Sequence, residues 1–205
     1  MSQFTYEFSE QKTPLETYEW DNVWIEQTGN SKAHRVLYIG DSISCGTRQI
    51  ATAVSENTYL FDGFGTSKAL DNPFLFDAIH LFAAQLTKVE TVIFNNGLHG
   101  WHLDDETEYS EYYEKAIQFL LEEFKNKKIF LVLTTSVADA EREKRVNLRN
   151  KVVLSLAKKY NLSIIDLYST AVEYNALRCD DGVHYSGVGY NKFASKILDN
   201  IMEKK

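Results

Sequence analysis

The chain is poor in the residues that most often announce an unusual architecture. Two cysteines, Cys45 and Cys179, in 205 residues are too few for a disulfide framework, and their spacing is not that of a zinc site. Such scarcity fits a reduced, cytoplasmic setting. Two prolines, Pro14 and Pro73, give little sign of a hinge between domains. No apolar run approaches the length that crosses a bilayer. The amino terminus, MSQFTYEFSEQKTP, has neither the basic start nor the apolar stretch of a signal peptide. No membrane partner is therefore expected. Positive charge is also short: 22 Lys and Arg against 29 Asp and Glu give a net charge of −7. That balance argues against nucleic acid as the partner, and the one basic run, Lys125-Asn126-Lys127-Lys128, reads as a solvated helix end.

What is present suits one globular domain. Hydrophobic residues make up 44% and charged residues 25%, and the length is enough to bury a real core. There is no internal repeat and no low-complexity segment. Residues 1–33 read as an amino-terminal extension with a short strand at Asn22–Ile25. Its aromatics Phe4, Tyr6, Phe8, Tyr18, Trp20 and Trp24 suit packing on the body, and they leave a homodimer contact open. From residue 34 to 205 the pattern alternates. Apolar strands are expected at Val36–Ile39, Tyr59–Phe61, Thr91–Phe94, Ile129–Leu133 and Ser163–Asp166. Helices are expected near Ser44–Ser55, Ser67–Thr87, Thr107–Phe124, Glu141–Tyr160 and Gly187–Met202. This alternation predicts an α/β fold with a parallel sheet covered on both faces. In such folds reactive groups gather beyond the carboxyl ends of the strands.

Three loops meet that demand. Gly40-Asp41-Ser42-Ile43-Ser44-Cys45-Gly46 follows the first body strand, and on this segment alone Ser42 reads first as a helix cap and second as a nucleophile. Asp181-Gly182-Val183-His184 precedes the last helix. An aspartate and a histidine three residues apart can face each other across a tight turn, the carboxylate holding one imidazole nitrogen and leaving the other to take a proton. Asn95-Asn96-Gly97-Leu98-His99-Gly100-Trp101-His102 follows the strand Thr91–Phe94. Its amides and imidazoles could donate to an oxyanion, or merely satisfy a turn.

The Gly40–Ser44 block, taken with Asp181-Gly182-Val183-His184-Tyr185-Ser186-Gly187-Val188-Gly189-Tyr190, resembles the SGNH (GDSL-type) hydrolase family over residues 33 to 205. The resemblance implies a flavodoxin-like three-layer α/β/α sandwich with a five-stranded parallel sheet. It also implies ester hydrolysis with Ser42 as nucleophile, His184 as general base and Asp181 orienting it, and a chemistry that needs no metal or other cofactor. The family's oxyanion donors are the serine N–H, a glycine N–H after the second strand and an asparagine after the third. Here Gly65 is the expected glycine, with Gly63 as the alternative. His99 stands where the family has asparagine, with Asn95 and Asn96 as alternatives. Asp41, Trp101 and His102 are candidates for lining the substrate mouth, although Trp101 could equally pack on the sheet edge.

The competing readings are a metal-dependent phosphoesterase using Asp41, His99, His102, Asp181 and His184, and a non-catalytic relative that binds a glycan or a partner. The polar third loop favours a small acyl group, such as acetyl on a sugar, over a long lipid tail. Among the remaining residues, His34 and His80 read as surface or core-edge residues, Cys45 as a small filler and Ser186 as the cap of the last helix.

Overall fold

A computed structural model describes residues 13–86 and 88–202. Phe4, Tyr6 and Phe8 of the extension lie outside the described residues. Strand β1 (Asp21–Trp24) comes first. It is followed by β2 (His34–Gly40), α1 (Ser42–Val54), β3 (Tyr59–Thr66) and α2 (Leu75–Ala83). Next come β4 (Val89–Phe94), α3 (Glu106–Glu123), β5 (Lys128–Val132) and α4 (Ala140–Tyr160). Strand β6 (Ser163–Ile165), α5 (Leu167–Glu173) and α6 (Gly187–Ile201) complete the order.

The strands form one sheet in the order β1-β3-β2-β4-β5-β6. Five are mutually parallel, and β1 adds a sixth, antiparallel strand on the edge of β3. The short run Val36-Leu37-Tyr38-Ile39 is apolar throughout because both of its faces are covered. Leu37 and Ile39 enter the core formed with α2, α3 and α4. Val36 and Tyr38 enter the opposite core, with α1, α5 and α6. The parallel strands follow the flavodoxin-like order, which reverses direction at β2. The crevice beyond that reversal, flanked by the β2–α1 turn and the loop after β4, is where such folds bind ligands. Among the described residues no helix is long and apolar enough to cross a membrane.

Three elements depart from the sequence expectation. Strand β3 continues through Asp62-Gly63-Phe64-Gly65 to Thr66 because β1 supplies a second pairing partner along that stretch. Helix α2 begins at Leu75 rather than at Ser67. Pro73 disfavours helical backbone at Asn72, whose Oδ1 accepts the Phe74 N–H at 2.9 Å in a turn. The strand expected through Asp166 ends at Ile165, and Asp166 caps the unanticipated α5, accepting the Ser169 N–H at 2.9 Å.

The segment 67–74 is instead clasped by the chain ahead of β1. Ser67 Oγ accepts the Trp20 N–H at 2.9 Å, and Asn72 Nδ2 donates to Glu19 Oε1 at 3.2 Å. Close packing extends to Gly65, where a Cβ would lie 2.2 Å from Cys45 Sγ on α1. Gly65→Ala should therefore lower stability by about 1–3 kcal/mol through overpacking. Urea unfolding should find Gly65→Ala/Cys45→Ala less destabilised than the sum of the single variants, because the clash has lost one partner.

Candidate active site

Gly40 ends β2, and the next two residues divide the work of starting α1. Asp41 is the cap, its Oδ1 accepting the Ile43 N–H at 2.9 Å. Ser44 Oγ donates to Asp41 O at 2.7 Å and tightens the turn. The cap reading, open for Ser42 on its own segment, falls to Asp41, and Ser42 is the first helical residue. Its Oγ lies 2.8 Å from His184 Nε2, at a helix start whose first N–H groups have no intrahelical partner.

His184 is held by the turn before α6. Asp181 Oδ1 accepts the N–H groups of Val183 and His184, each at 2.9 Å. Oδ2 lies 2.8 Å from His184 Nδ1. A carboxylate only accepts, so Nδ1 carries a proton, and in the neutral ring Nε2 is then the nitrogen whose lone pair faces Ser42 Oγ. Gly182 passes through φ +80°, a backbone region that side chains other than glycine's rarely adopt. The Cys179 N–H closes the turn on His184 O at 2.7 Å, and the Ala138 N–H ties Gly182 O to the loop after β5 at 2.8 Å. Ser186 then caps α6.

Partial burial alone would raise the Asp181 pKa, but the two backbone N–H groups and the imidazole together hold it below the usual carboxylate value. The stabilisation this reflects is present above the unfolded carboxylate range and is lost as pH falls through the lower folded value.

The loop after β4 differs from expectation in what its side chains touch. Asn95 directs its amide to Val132 O at 2.8 Å and Thr134 Oγ1 at 3.1 Å, so both amide hydrogens are engaged with β5 and the loop beyond. Asn96 donates to Lys68 O at 2.8 Å. His99 is buried, its Nδ1 3.2 Å from Glu16 Oε1 and its ring edge-on to Trp20. Trp101 is buried rather than lining a mouth, with the guanidiniums of Arg142, Arg145 and Arg149 within 5.0 Å of its ring centroid. His102 Nε2 faces Asp71 Oδ2 at 2.7 Å.

The second-block glycines also require correction. N–H groups along a strand point alternately to its two neighbours. Ser67 N–H donates to Trp20 O, and Thr58 O accepts from His34 N–H on the opposite side. By that alternation Gly63 and Gly65 both face β1, away from the Ser42 turn, and Gly65 serves close packing in place of the donor role expected of it. The five residues of the metal reading do not converge either. Each histidine has its own carboxylate, and no group of three or more His, Cys, Asp or Glu among the described residues is placed to hold a metal ion. His34 and His80 lie on the surface beside Glu90 and Glu123.

Two residues that no motif pointed to shape this loop. Glu16 accepts the Gly100 N–H at 3.2 Å. Arg149, buried in the middle of α4, donates to the carbonyls of Gly97, His99, Gly100 and Leu103 at 2.6–3.3 Å. Its guanidinium lies 4.6 Å from the centroid of Trp101 and 4.5 Å from that of Tyr109. Burial lowers its pKa to about 10, which leaves it charged at neutral pH.

The fold and the site together define an α/β/α protein with the SGNH (GDSL-type) hydrolase fold. No family profile and no curated protein matches the chain, but solved structures do. An acetyl xylan esterase superposes with TM-score 0.64 at 20% identity, over 82% of this chain and 100% of that one. A member of the lipolytic protein G-D-S-L family from Veillonella parvula gives TM-score 0.68 at 20% identity, over 82% and 98%. An acetylxylan esterase from Geobacillus stearothermophilus gives 0.65 at 15% identity, over 85% and 98%.

Arg149→Met would remove the guanidinium donor from the buried carbonyls of Gly97 and His99, while Gly100 O keeps the Leu103 N–H and Leu103 O keeps Arg145. Urea denaturation should register a loss on the order of 3 kcal/mol. Wild-type stability in that variant would show the loop to be held by other contacts.

Proposed function

We propose that the chain is a serine esterase of the SGNH type that hydrolyses a small acyl ester. The observation that supports this best is the unbroken run from Ser42 Oγ through His184 to Asp181, with both links at 2.8 Å. In this reading His184 Nε2 takes the hydroxyl proton as Ser42 attacks the ester carbonyl, and Asp181 stabilises the imidazolium that forms. The proton passes to the departing alcohol and leaves an acyl-serine. Water, deprotonated by the same nitrogen, then attacks the acyl carbon and releases the acid and free Ser42. The oxyanion of each tetrahedral intermediate is met by the Ser42 N–H at the start of α1 and by His99. Asn95, with both amide hydrogens engaged, is the weakest of the alternatives to His99. Asn96 keeps one amide hydrogen beyond its contact with Lys68 and is the rival.

A small acyl group on a polar alcohol, such as an acetylated sugar, is the proposed substrate. Two of the solved neighbours are described as acetyl xylan esterases, and the loop after β4 is polar. A chain-length series of aryl esters run beside acetylated sugars should peak at acetyl, and a preference for long acyl chains would exclude this substrate class.

Ser42→Ala and His184→Ala should each lower kcat/KM by about 10³-fold or more. An organophosphonate should label wild type at Ser42 and leave Ser42→Ala unlabelled. His99→Ala should cost about 10²–10³-fold. Near-normal turnover in His99→Ala with a large loss in Asn96→Ala would transfer the donor role to Asn96.

A further inference from the structure

Helix α1 begins at Ser42, and Gly46 follows one turn later. A Cβ at Gly46 would lie 2.4, 2.6 and 2.8 Å from three ring carbons of Tyr190 on α6. The Tyr190 ring therefore rests on bare α1 backbone, in the space that any larger residue at this position would fill. Residues four apart share a helix face. The face that meets Tyr190 thus also turns Ser42 towards the entry of α6. His184 stands in that entry, its Nε2 2.8 Å from Ser42 Oγ. The nucleophile and the base meet across the same pair of helices that Tyr190 holds apart.

The far side of the ring is held as well. Phe193 is fully buried and meets Tyr190 edge-on, with 6.1 Å between centroids. Phe193 also meets Tyr185, the residue after His184, edge-on at 4.8 Å. Tyr185 is buried in turn, its hydroxyl reaching Ser136 O at 3.3 Å and Ala171 O at 3.4 Å. Gly189 lets Tyr185 lie against α6, since a Cβ there would come 2.9 Å from Tyr185 Cβ. The Tyr190 hydroxyl takes a backbone hydrogen bond from Tyr185. Arg178 and Tyr185 form an antiparallel bridge whose bonds are made by their neighbours, Cys179 N–H to His184 O at 2.7 Å and Ser186 N–H to Leu177 O at 2.9 Å. The Tyr185 N–H is left for Tyr190. One side chain thus touches both the helix that carries Ser42 and the backbone next to His184.

Resting on the esterase reading above, we propose that Tyr190 is a positioning residue, its ring seated on Gly46 as the spacer that sets the Ser42–His184 separation. It acts through the two helices and not on the ester. A flat ring between two close-packed elements has one thickness, so a thicker layer and a thinner one both move the helices. A misplacement of about 1 Å at the reacting atoms can cost on the order of 10²-fold in rate.

The test is kcat and KM on an aryl acetate, with a crystal structure of each protein, for wild type, Gly46→Ala, Tyr190→Leu, Tyr190→Phe and Gly46→Ala/Tyr190→Leu. Alanine is the better helix former, so a loss in Gly46→Ala reports the clash with the ring. That variant should lose about 10–100-fold in kcat with KM held, and its structure should show Ser42 Oγ and His184 Nε2 beyond hydrogen-bond reach. Tyr190→Leu thins the layer and should lose about 10-fold or more. Tyr190→Phe keeps the ring and should recover most of that loss. In the double variant the added methyl fills the space the ring gives up. It should turn over faster than either single variant and bring the pair back within hydrogen-bond distance. Equal losses in Tyr190→Phe and Tyr190→Leu, losses that add in the double variant, or an unmoved Ser42–His184 pair in Gly46→Ala would overturn the proposal. Should Gly46→Ala fail to fold, the comparison of Tyr190→Leu with Tyr190→Phe still decides it. The crystallographic arm uses no substrate, so a wild type that cleaves no ester would sink the esterase reading while the measured separations still decide this one.

Discussion

The contact between Ser42 Oγ and His184 Nε2 joins residues 142 positions apart, and the fold is what brings them together. Strand β2 lies between β3 and β4, so the sheet's order of progression reverses there and no helix fills the crevice beyond its end. The β2–α1 turn delivers Ser42 to that crevice. The turn before α6 delivers His184, because α6 packs on α1 in the core on one face of the sheet. Each side chain is then aimed by local bonds: the Asp41 cap for the serine, and the two N–H groups on Asp181 for the histidine. Sheet topology decides which loops meet, and the turns decide which atoms face each other.

A second layer of construction governs the loop after β4. Peptide carbonyls buried at the end of a strand must find donors, and Arg149 provides several from one guanidinium. Its planar group reaches four carbonyls while lying against two aromatic rings, a task for which a lysine ammonium has neither the geometry nor the weak hydration. Trp101 thus belongs to the scaffold of the loop. The sequence placed Trp101 and His102 in the right loop, but their side chains pair with Arg142, Arg145, Arg149 and Asp71, residues that sequence proximity does not reveal.

How much could be read beforehand follows from the range of each interaction. The parallel body was legible because runs such as Val36–Ile39 and Thr91–Phe94 are apolar on both faces, and that pattern is local. The Asp181–His184 spacing was legible because three residues suffice to close a turn around Gly182. Ser42 was ambiguous by itself, and only the ordered partner near the other end favoured a nucleophile over a cap. The extent of β3 was hidden, since Asp62-Gly63-Phe64-Gly65 has the composition of a loop and becomes a strand through pairing with β1. The same pairing turns Gly65 from the expected oxyanion donor into a close-packing residue. Pro73 was visible, yet the helix was drawn through it, and its effect on Asn72 ended that expectation. Glu16 and Arg149 carried no signal at all. An acid in an acidic, aromatic-rich leader and an arginine in a charged helix look solvated until tertiary contacts bury them.

The long span of the Ser42–His184 contact also sets when the site comes into being. Closing so large a loop is entropically costly, and a chain made from its amino terminus forms the β2–α1 turn long before α6 exists. Until α6 docks on α1, the Ser42 hydroxyl has a helix start but no imidazole beside it. The Ser42–His184 contact therefore forms as one of the last events of folding, together with the completed core that shelters it.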